Sequence, residues 1–331
     1  MQTSIHFRAV EEDLPGPRWK ALFEPAWPFY RAWFLRSGAV ARPSFLECRR
    51  AMRTHMPELV PTWERLVELA GGGDLEARFL SLWCPPPYIV GCSQAVWVDA
   101  GCAQEPMLLR NYDFAPALLE GNWLSTRWAG QRVMAMSDCL WGALDGINES
   151  GLAASLSFGG RTVAGDGFGI PLVLRYVLET ASSTASAVAI LERIPVHMSY
   201  SVTLLDRHSQ WATVFLNPDR PVEVTRRKVV TNLQHEVEWP EHARATRSPE
   251  RLDALQRSID SSAGASAVID ALLSEPLYQP AWQRGYGTLY TAAYAPISRQ
   301  ASLHWPGESW VQALGIFEEG QRSVLFEGHP P

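Results

Sequence analysis

The stretch that decides the fold reads Val90-Gly91-Cys92-Ser93-Gln94-Ala95-Val96-Trp97, pauses at Asp99-Ala100-Gly101, and resumes as Leu108-Leu109-Arg110-Asn111-Tyr112-Asp113-Phe114. Both halves are rich in strand-forming residues, and the acidic, glycine-containing break between them suits a turn. An antiparallel return brings the end of the second strand beside the start of the first. Cys92 then lies near Arg110 and Asp113. These residues leave two readings open. In one, Cys92 is a nucleophile oriented by a charged pair. In the other, it is a small buried apolar residue, as most free cysteines are, and Arg110 and Asp113 form an ion pair at a sheet edge.

Upstream of this stretch the pattern is helical from Trp19 to Ala70, with Trp63, Leu66, Val67 and Ala70 on one helix face. Gly71-Gly72-Gly73 ends that pattern, and a second helical stretch, Leu75 to Trp83, stops at Pro85-Pro86-Pro87. Tyr88-Ile89-Val90 then reads as a short strand. Downstream, strands are expected at Arg132–Ser137, Gly151–Phe158, Tyr200–Leu205, Ala212–Leu216, Thr288–Ala293, Ala301–Trp305 and Ser323–Glu327. Helices interrupt them at Pro171–Ala181 and Ala185–Ile194, with Ser183 and Thr184 available as caps. A third helix is expected to begin with Ser248 as N-cap and Pro249 at its first position. Strands, then helices, then strands again point to an α+β fold with helices layered on antiparallel sheets.

Composition narrows the function. The formal net charge is −6, which disfavours nucleic acid as the main partner, since phosphate binding needs clustered Lys and Arg. The run Arg226-Arg227-Lys228 is too short to change that. No run of about 18 apolar residues is present, so no membrane span is expected. Met1 to Pro15 is polar and acidic, unlike a signal peptide. Five cysteines, an odd number without framework spacing, fit a reduced compartment, and the cytoplasm is the expected location. Fourteen tryptophans suggest a large core or an apolar pocket. The sequence has no Gly-x-Ser-x-Gly elbow, no phosphate-binding loop and no dinucleotide fingerprint. Its eight histidines show no zinc-site spacing.

Six motifs occur in order: Gly91-Cys92-Ser93, Arg110-Asn111-Tyr112-Asp113, Gly146-Ile147-Asn148-Glu149-Ser150-Gly151-Leu152-Ala153, Val230-Thr231-Asn232, Ser248-x-x-Arg251 and Gly287-Thr288-Leu289-Tyr290. On these, the chain from roughly Pro85 onward resembles the acyl-coenzyme A:6-aminopenicillanate (isopenicillin-N) acyltransferase branch of the N-terminal-nucleophile hydrolases. That branch is related to choloylglycine hydrolase and penicillin V acylase. The long segment ahead of Gly91-Cys92 is similar to the acyltransferase branch in particular.

The resemblance implies a four-layer αββα sandwich of two antiparallel sheets, preceded by a helical segment. It implies self-cleavage between Gly91 and Cys92, so that residues 1–91 become a small chain retained beside the catalytic residues 92–331. Cys92 would be the nucleophile, and its freed α-amine, with an ordinary pKa of roughly 7.7–8.0, the base. Glycine at position 91 would tolerate the strained backbone of the N-to-S shift. Asp113 would orient the amine, Arg110 would favour the thiolate, and Asn232 would donate to the oxyanion. Arg251 would support the nucleophile's surroundings, with Ser248 a cap or a support. Asn148, with Glu149-Ser150-Gly151, reads as a hairpin turn. Bile-salt enzymes place a second oxyanion asparagine where this chain reads Leu156-Ser157-Phe158, and Ser157 or a nearby backbone N–H would stand in.

The expected activity is hydrolysis of a linear amide through an acyl-thioester on Cys92. Acyl transfer from acyl-CoA to an amine is the alternative, and an inactive binding protein of the same fold a third. No cofactor or metal is expected, acyl-CoA entering only as a co-substrate. The expected partners are a small-molecule amide or acyl donor and the chain's own N-terminal segment. Homo-oligomerisation is left open.

Overall fold

The computed structural model describes residues 3–99, 101, 103–282 and 285–326. Ala100, Cys102, Glu327 and the terminal Gly-His-Pro-Pro lie outside them. The chain opens with strand β1 (Thr3–Glu12) and helices α1 (Pro17–Phe34), α2 (Phe45–His55), α3 (Val60–Leu69) and α4 (Asp74–Leu80). Strands β2 (Gly91–Trp97), β3 (Met107–Phe114), β4 (Asn122–Thr126), β5 (Val133–Asp138), β6 (Gly142–Asn148) and β7 (Leu152–Phe158) follow. Next come α5 (Ile170–Thr180), α6 (Thr184–Leu191), β8 (Tyr200–Asp206), β9 (Trp211–Leu216), β10 (Glu223–Thr225) and β11 (Val229–Val230). Helices α7 (Pro240–Ala245), α8 (Ser248–Ser261) and α9 (Ala265–Leu272) lead into β12 (Gly287–Ala295), β13 (Gln300–Trp305), β14 (Glu308–Ala313) and β15 (Gly320–Phe326).

The strands form two sheets, ordered β10-β9-β8-β7-β6-β5-β4-β1-β15 and β11-β2-β3-β12-β13-β14. β2 and β3 face β7 and β8 across the interior, α5 and α6 cover the outer face of the larger sheet, and α8 and α9 that of the smaller. The result is the expected α+β sandwich of four layers. Strands at its centre are covered on both faces, so β2, β6, β7, β8 and β12 are buried at every position. Such strands lose the alternation that marks a half-exposed sheet.

The structure departs from the sequence reading in several places. The larger sheet is not wholly antiparallel, because β1 runs parallel to β4, pairing Ala9 with Trp123. The segment before Cys92 is therefore not only helical. β1 sits within the larger sheet, with Ile5, Phe7 and Ala9 buried at alternate positions. Tyr88-Ile89-Val90 is a linker, and pairing starts only at Gly91. β6 was hidden by its two glycines. At Gly146 a Cβ would sit 2.7 Å from the Ala135 Cβ and 2.9 Å from a Leu178 methyl, so the glycine lets α5 close onto the sheet. Asn148 is buried at the end of β6, donating to the carbonyls of Leu178 (2.9 Å) and Ala181 (2.7 Å). Ser183 does cap α6, accepting from the Ser186 N–H. Ser248 is not the cap of α8; that position falls to Arg247 at φ 51°. The Ser248 side chain is turned inward instead, 2.7 Å from the Thr246 hydroxyl.

Tryptophan serves mainly the core: Trp19, Trp63, Trp123, Trp141 and Trp305 are fully buried. Several tie the N-terminal segment to the sandwich. The Trp19 indole donates to the Leu140 carbonyl (2.9 Å), and that of Trp141 to the Leu80 carbonyl (2.8 Å). Among the described residues, no helix is long and apolar enough to cross a membrane.

A buried ion pair on α5, Arg175 with Glu179 at 3.4 Å, makes stability depend on pH. Burial outweighs Arg175 and lifts the Glu179 carboxyl to about 7. An unfolded glutamate titrates near 4.3, so between these values the unfolded chain holds fewer protons and stability falls as pH rises. Glu179→Gln lacks this loss. Relative to wild type it should gain on the order of 2–3 kcal/mol between pH 4.5 and 7.5, measured by urea unfolding at both. A difference independent of pH would refute a titrating Glu179.

Candidate active site

β2 and β3 pair Gly91 with Asp113, Cys92 with Tyr112, Ser93 with Asn111 and Gln94 with Arg110. Successive strand residues point to opposite faces. Cys92, Gln94, Arg110 and Tyr112 therefore look into the gap between the sheets, while Gly91, Ser93, Asn111 and Asp113 look toward α8 and α9. This changes the expected pairing. Arg110 and Asp113 are three positions apart on one strand, so they stand on opposite faces. The ion pairs are Arg110–Asp145 and Arg251–Asp113, all four side chains fully buried.

On the thiol side, Arg110 Nη2 donates to Cys92 Sγ at 3.1 Å, and Nη1 donates to the Leu144 carbonyl at 2.6 Å. Asp145, which pairs with Arg110, also accepts from the hydroxyls of Tyr290 (2.7 Å) and Tyr294. The Arg110 guanidinium lies 4.8 Å from the centre of the Tyr112 ring. Burial pushes the Cys92 thiol up from its ordinary pKa, and Arg110 offsets this only in part. Arg110 acts in the expected direction, but in the uncut chain burial outweighs it.

On the nitrogen side, the Cys92 N–H donates to Asn232 Oδ1 at 2.9 Å. Asn232 is carried there by β11, which pairs with β2 at Ala95 and Gln94. Its Nδ2 donates to the carbonyls of Val90 (3.3 Å) and Phe158 (3.2 Å). Arg251 ties the group together: Nη1 donates to Asp113 and Ser93, Nη2 to Asn232 Oδ1, each at 2.8 Å, and Nε to the Thr246 carbonyl at 2.7 Å. Thr288 donates to the other Asp113 oxygen at 2.7 Å. Burial raises the Asp113 carboxyl above its usual range, against the pull of Arg251. Ser248 stands at the edge of this cluster, 3.5 Å from Arg251 Nη2.

The structure thus gathers Gly91, Cys92, Arg110, Asp113, Asn232, Arg251 and Ser248 around one point. Ser157 is placed elsewhere. With the Gln94 amide nitrogen turned toward Ser155, its oxygen accepts from the Ser157 hydroxyl (2.7 Å) and N–H (3.1 Å). That is two positions along β2 from the thiol. Gly91 has an ordinary strand backbone, without positive φ. Its requirement is for space: an added Cβ would overlap the Tyr286 hydroxyl and come within 3.1 Å of the Asp113 Cβ.

Asp145, Ser93, Thr288, Tyr286 and Tyr290 escaped the sequence reading as site residues. Asp145 left one signal, a lone carboxylate between apolar residues directly before a motif. Ser93, Thr288 and Tyr290 stood inside motifs without an assigned role. Among the described residues, none of the thiol's hydrogen-bond partners is a histidine, and no group of three His, Cys, Asp or Glu is placed to hold a metal.

The fold is a four-layer αββα sandwich with a fully buried cysteine at the second position of an inner strand. The chain belongs to the acyl-coenzyme A:6-aminopenicillanic acid acyl-transferase family, whose model matches residues 99–310, well over half its length. Among solved structures it is similar to penicillin V acylase from Agrobacterium tumefaciens, at 17% identity and TM-score 0.45, over 66% of this chain and 84% of that one. It is also similar to a Caenorhabditis elegans ortholog of N-acylethanolamine-hydrolyzing acid amidase, at 12% identity and TM-score 0.46, over 62% and 93%. A mutant conjugated bile acid hydrolase from Clostridium perfringens aligns at 11% identity and TM-score 0.47, over 70% and 96%. No curated protein matches the chain.

Proposed function

We propose that this protein is a self-processing cysteine amidohydrolase whose nucleophile is Cys92. One observation carries the reading: both reactive ends of that residue have a dedicated buried partner. The sulfur receives the Arg110 guanidinium, and the nitrogen is held by Asn232. A structural cysteine needs neither.

In the uncut chain Sγ adds to the Gly91 carbonyl carbon. The bond from that carbon to the Cys92 nitrogen then breaks, and the nitrogen takes up a proton. Water hydrolyses the resulting thioester, leaving a Gly91 carboxylate, a free thiol and a free α-amine. In the mature enzyme that amine takes the thiol proton as Sγ attacks a substrate amide, then gives it to the departing amine. Water completes the cycle. Arg110, fixed by Asp145, stays beside the sulfur throughout. Asn232 holds the nitrogen, and Arg251 holds Asn232.

The acyl group has a candidate place. A cleft is lined by Phe29, Tyr30, Trp33, Tyr88, Phe114 and Leu118, with Asp138 and Cys139 alongside. Phe114 lies two residues beyond Tyr112, about 7 Å along the strand, and Tyr112 stands opposite Cys92. Cys92 is fully buried in the uncut chain, and Tyr88, three residues before the cut, lines the cleft. Cleavage frees that linker to withdraw and open the thiol to the cleft. Phe29, Tyr30 and Trp33 belong to α1, so the N-terminal segment stays bound as one wall.

Membership of an acyltransferase family favours a second reading, in which an amine intercepts the acyl-enzyme in place of water. Intact mass of the purified protein tests the self-processing. Two fragments, ending at Gly91 and starting at Cys92, are expected; an active wild type left in one piece would overturn the mechanism. p-Nitroanilides of acetic, hexanoic and phenylacetic acids then separate the activities. Faster release from the larger acyl groups is expected, and amide formation with added amines would identify transfer. No release and no mass gain of one acyl group on the Cys92 fragment would count against catalysis.

A further inference from the structure

The Tyr286 hydroxyl is buried directly against Gly91 and has no hydrogen-bond partner among the described residues. The Tyr286 Cζ lies 2.9 Å from the point where a Gly91 Cβ would stand, and the Asp113 Cβ lies 3.1 Å from the same point. A phenol rarely remains unpaired inside a protein, so this one requires an account. Resting on the self-processing reading above, we propose that Tyr286 is a positioning residue for the mature nucleophile. Its oxygen is an acceptor reserved for the α-ammonium that appears on Cys92 when Gly91 is released.

Counting hydrogens supports this. As an amide, the Cys92 nitrogen carries one hydrogen, already donated to Asn232 Oδ1 at 2.9 Å. Cleavage converts it into an ammonium with three N–H donors, of which two are new and need acceptors. The face that carried Gly91 offers two acceptors, the Asp113 carboxylate and Tyr286 Oη. Each Asp113 oxygen already takes one hydrogen bond, from Arg251 at 2.8 Å and Thr288 at 2.7 Å, and retains a further lone pair. No donor among the described residues reaches Tyr286 Oη. Burial holds the phenol well above its ordinary pKa, so it remains a neutral hydroxyl. The uncut chain carries an unsatisfied acceptor that only its own cleavage product can fill.

The charged and titratable groups around the amine come from several elements. Asp113 and Arg110 lie on β3 and Arg251 on α8. Tyr278 and Tyr286 lie ahead of β12, and His242 lies on α7 near Arg251. Loss of one acceptor from this set leaves the ammonium less stabilised. Tyr286→Phe should therefore lower the α-amine pKa. It should move the midpoint for acetylation of the Cys92 α-amine by acetic anhydride, with the thiol first capped by methyl methanethiosulfonate, about one pH unit lower, read as mass gain on the N-terminal peptide of the fragment starting at Cys92. A purely space-filling tyrosine would leave that midpoint unchanged in the phenylalanine variant, and this result overturns the proposal. If the full-length variant is not cut, co-expression of residues 1–91 with residues 92–331 supplies the same fragments, and the same midpoint decides. A wild type that is not cut removes the self-processing reading itself. A cut wild type with the same midpoint as the variant removes only this inference.

Discussion

Replacing Cys92 with alanine should leave a single uncut chain of 36.9 kDa, less one sulfur atom, that folds normally and has no activity. The substitution removes one buried atom. Arg110 stays paired with Asp145 and the Leu144 carbonyl, so no charge is stranded by it. Unfolding should therefore shift little, by about 1 kcal/mol or less. The chemical loss should be far larger. Without Sγ neither the N-to-S shift nor the acyl-enzyme forms, and anilide release should fall by at least about 10³-fold. Intact mass, near-UV circular dichroism and the anilide assay measure the three effects separately. Fragments still ending at Gly91 in this variant would show that another group, or a contaminating protease, makes the cut.

Arg251→Met should be the most destabilising single change at the site. It removes the partner of a fully buried carboxylate, leaves Ser93 and the Thr246 carbonyl without a donor, and leaves Asn232 Oδ1 with the Cys92 N–H alone. Breaking a buried pair from one side typically costs about 3–5 kcal/mol. Asp113 escapes that penalty only by binding a proton, which burial already favours. The sign with pH follows. Near pH 4 and below, the unfolded carboxyl is also largely protonated, so the variant's deficit should be smallest there and grow toward neutrality. Urea midpoints at pH 4 and 7.5 test this. Adding Asp113→Asn to Arg251→Met should recover part of the loss at pH 7.5. A deficit that neither varies with pH nor responds to the second change would show that Arg251 acts by packing alone. Self-cleavage should also slow in Arg251→Met, because Asn232 loses the contact that fixes its oxygen toward the Cys92 nitrogen.

Parts of this site were legible in the sequence for a simple reason. Antiparallel return is a local property, and the short link between β2 and β3 made it readable. Cys92 was therefore placed beside the end of β3 correctly. Which face each residue takes was also open to counting, since positions 110 and 113 differ by an odd number. Even so, a shared neighbourhood suggested a shared side. β1 was readable too, in the alternation of Ile5, Phe7 and Ala9, but its acidic end at Glu11-Glu12 made the segment read as merely polar. β6 was not readable: Gly142, Asp145 and Gly146 mimic a turn, and only the approach of α5 and of Arg110 explains them.

By itself, the sequence determined the α+β class and the strand–turn–strand that carries Cys92. Through its motifs, it also determined the family. These rest on backbone propensity, on the period of apolar residues and on residue order, all written along the chain. Only the tertiary structure decided who meets whom. Asp145 reaches Arg110 from the opposite sheet, Arg251 reaches Asp113 from a helix, and Tyr286 closes over Gly91 from a segment nearly two hundred residues away. Contacts of that separation come from sheet stacking and helix docking, where buried charge must find its counter-charge whatever its position in the sequence. The neighbours of Cys92 were named by the chain, but the faces on which they stand were set by the fold.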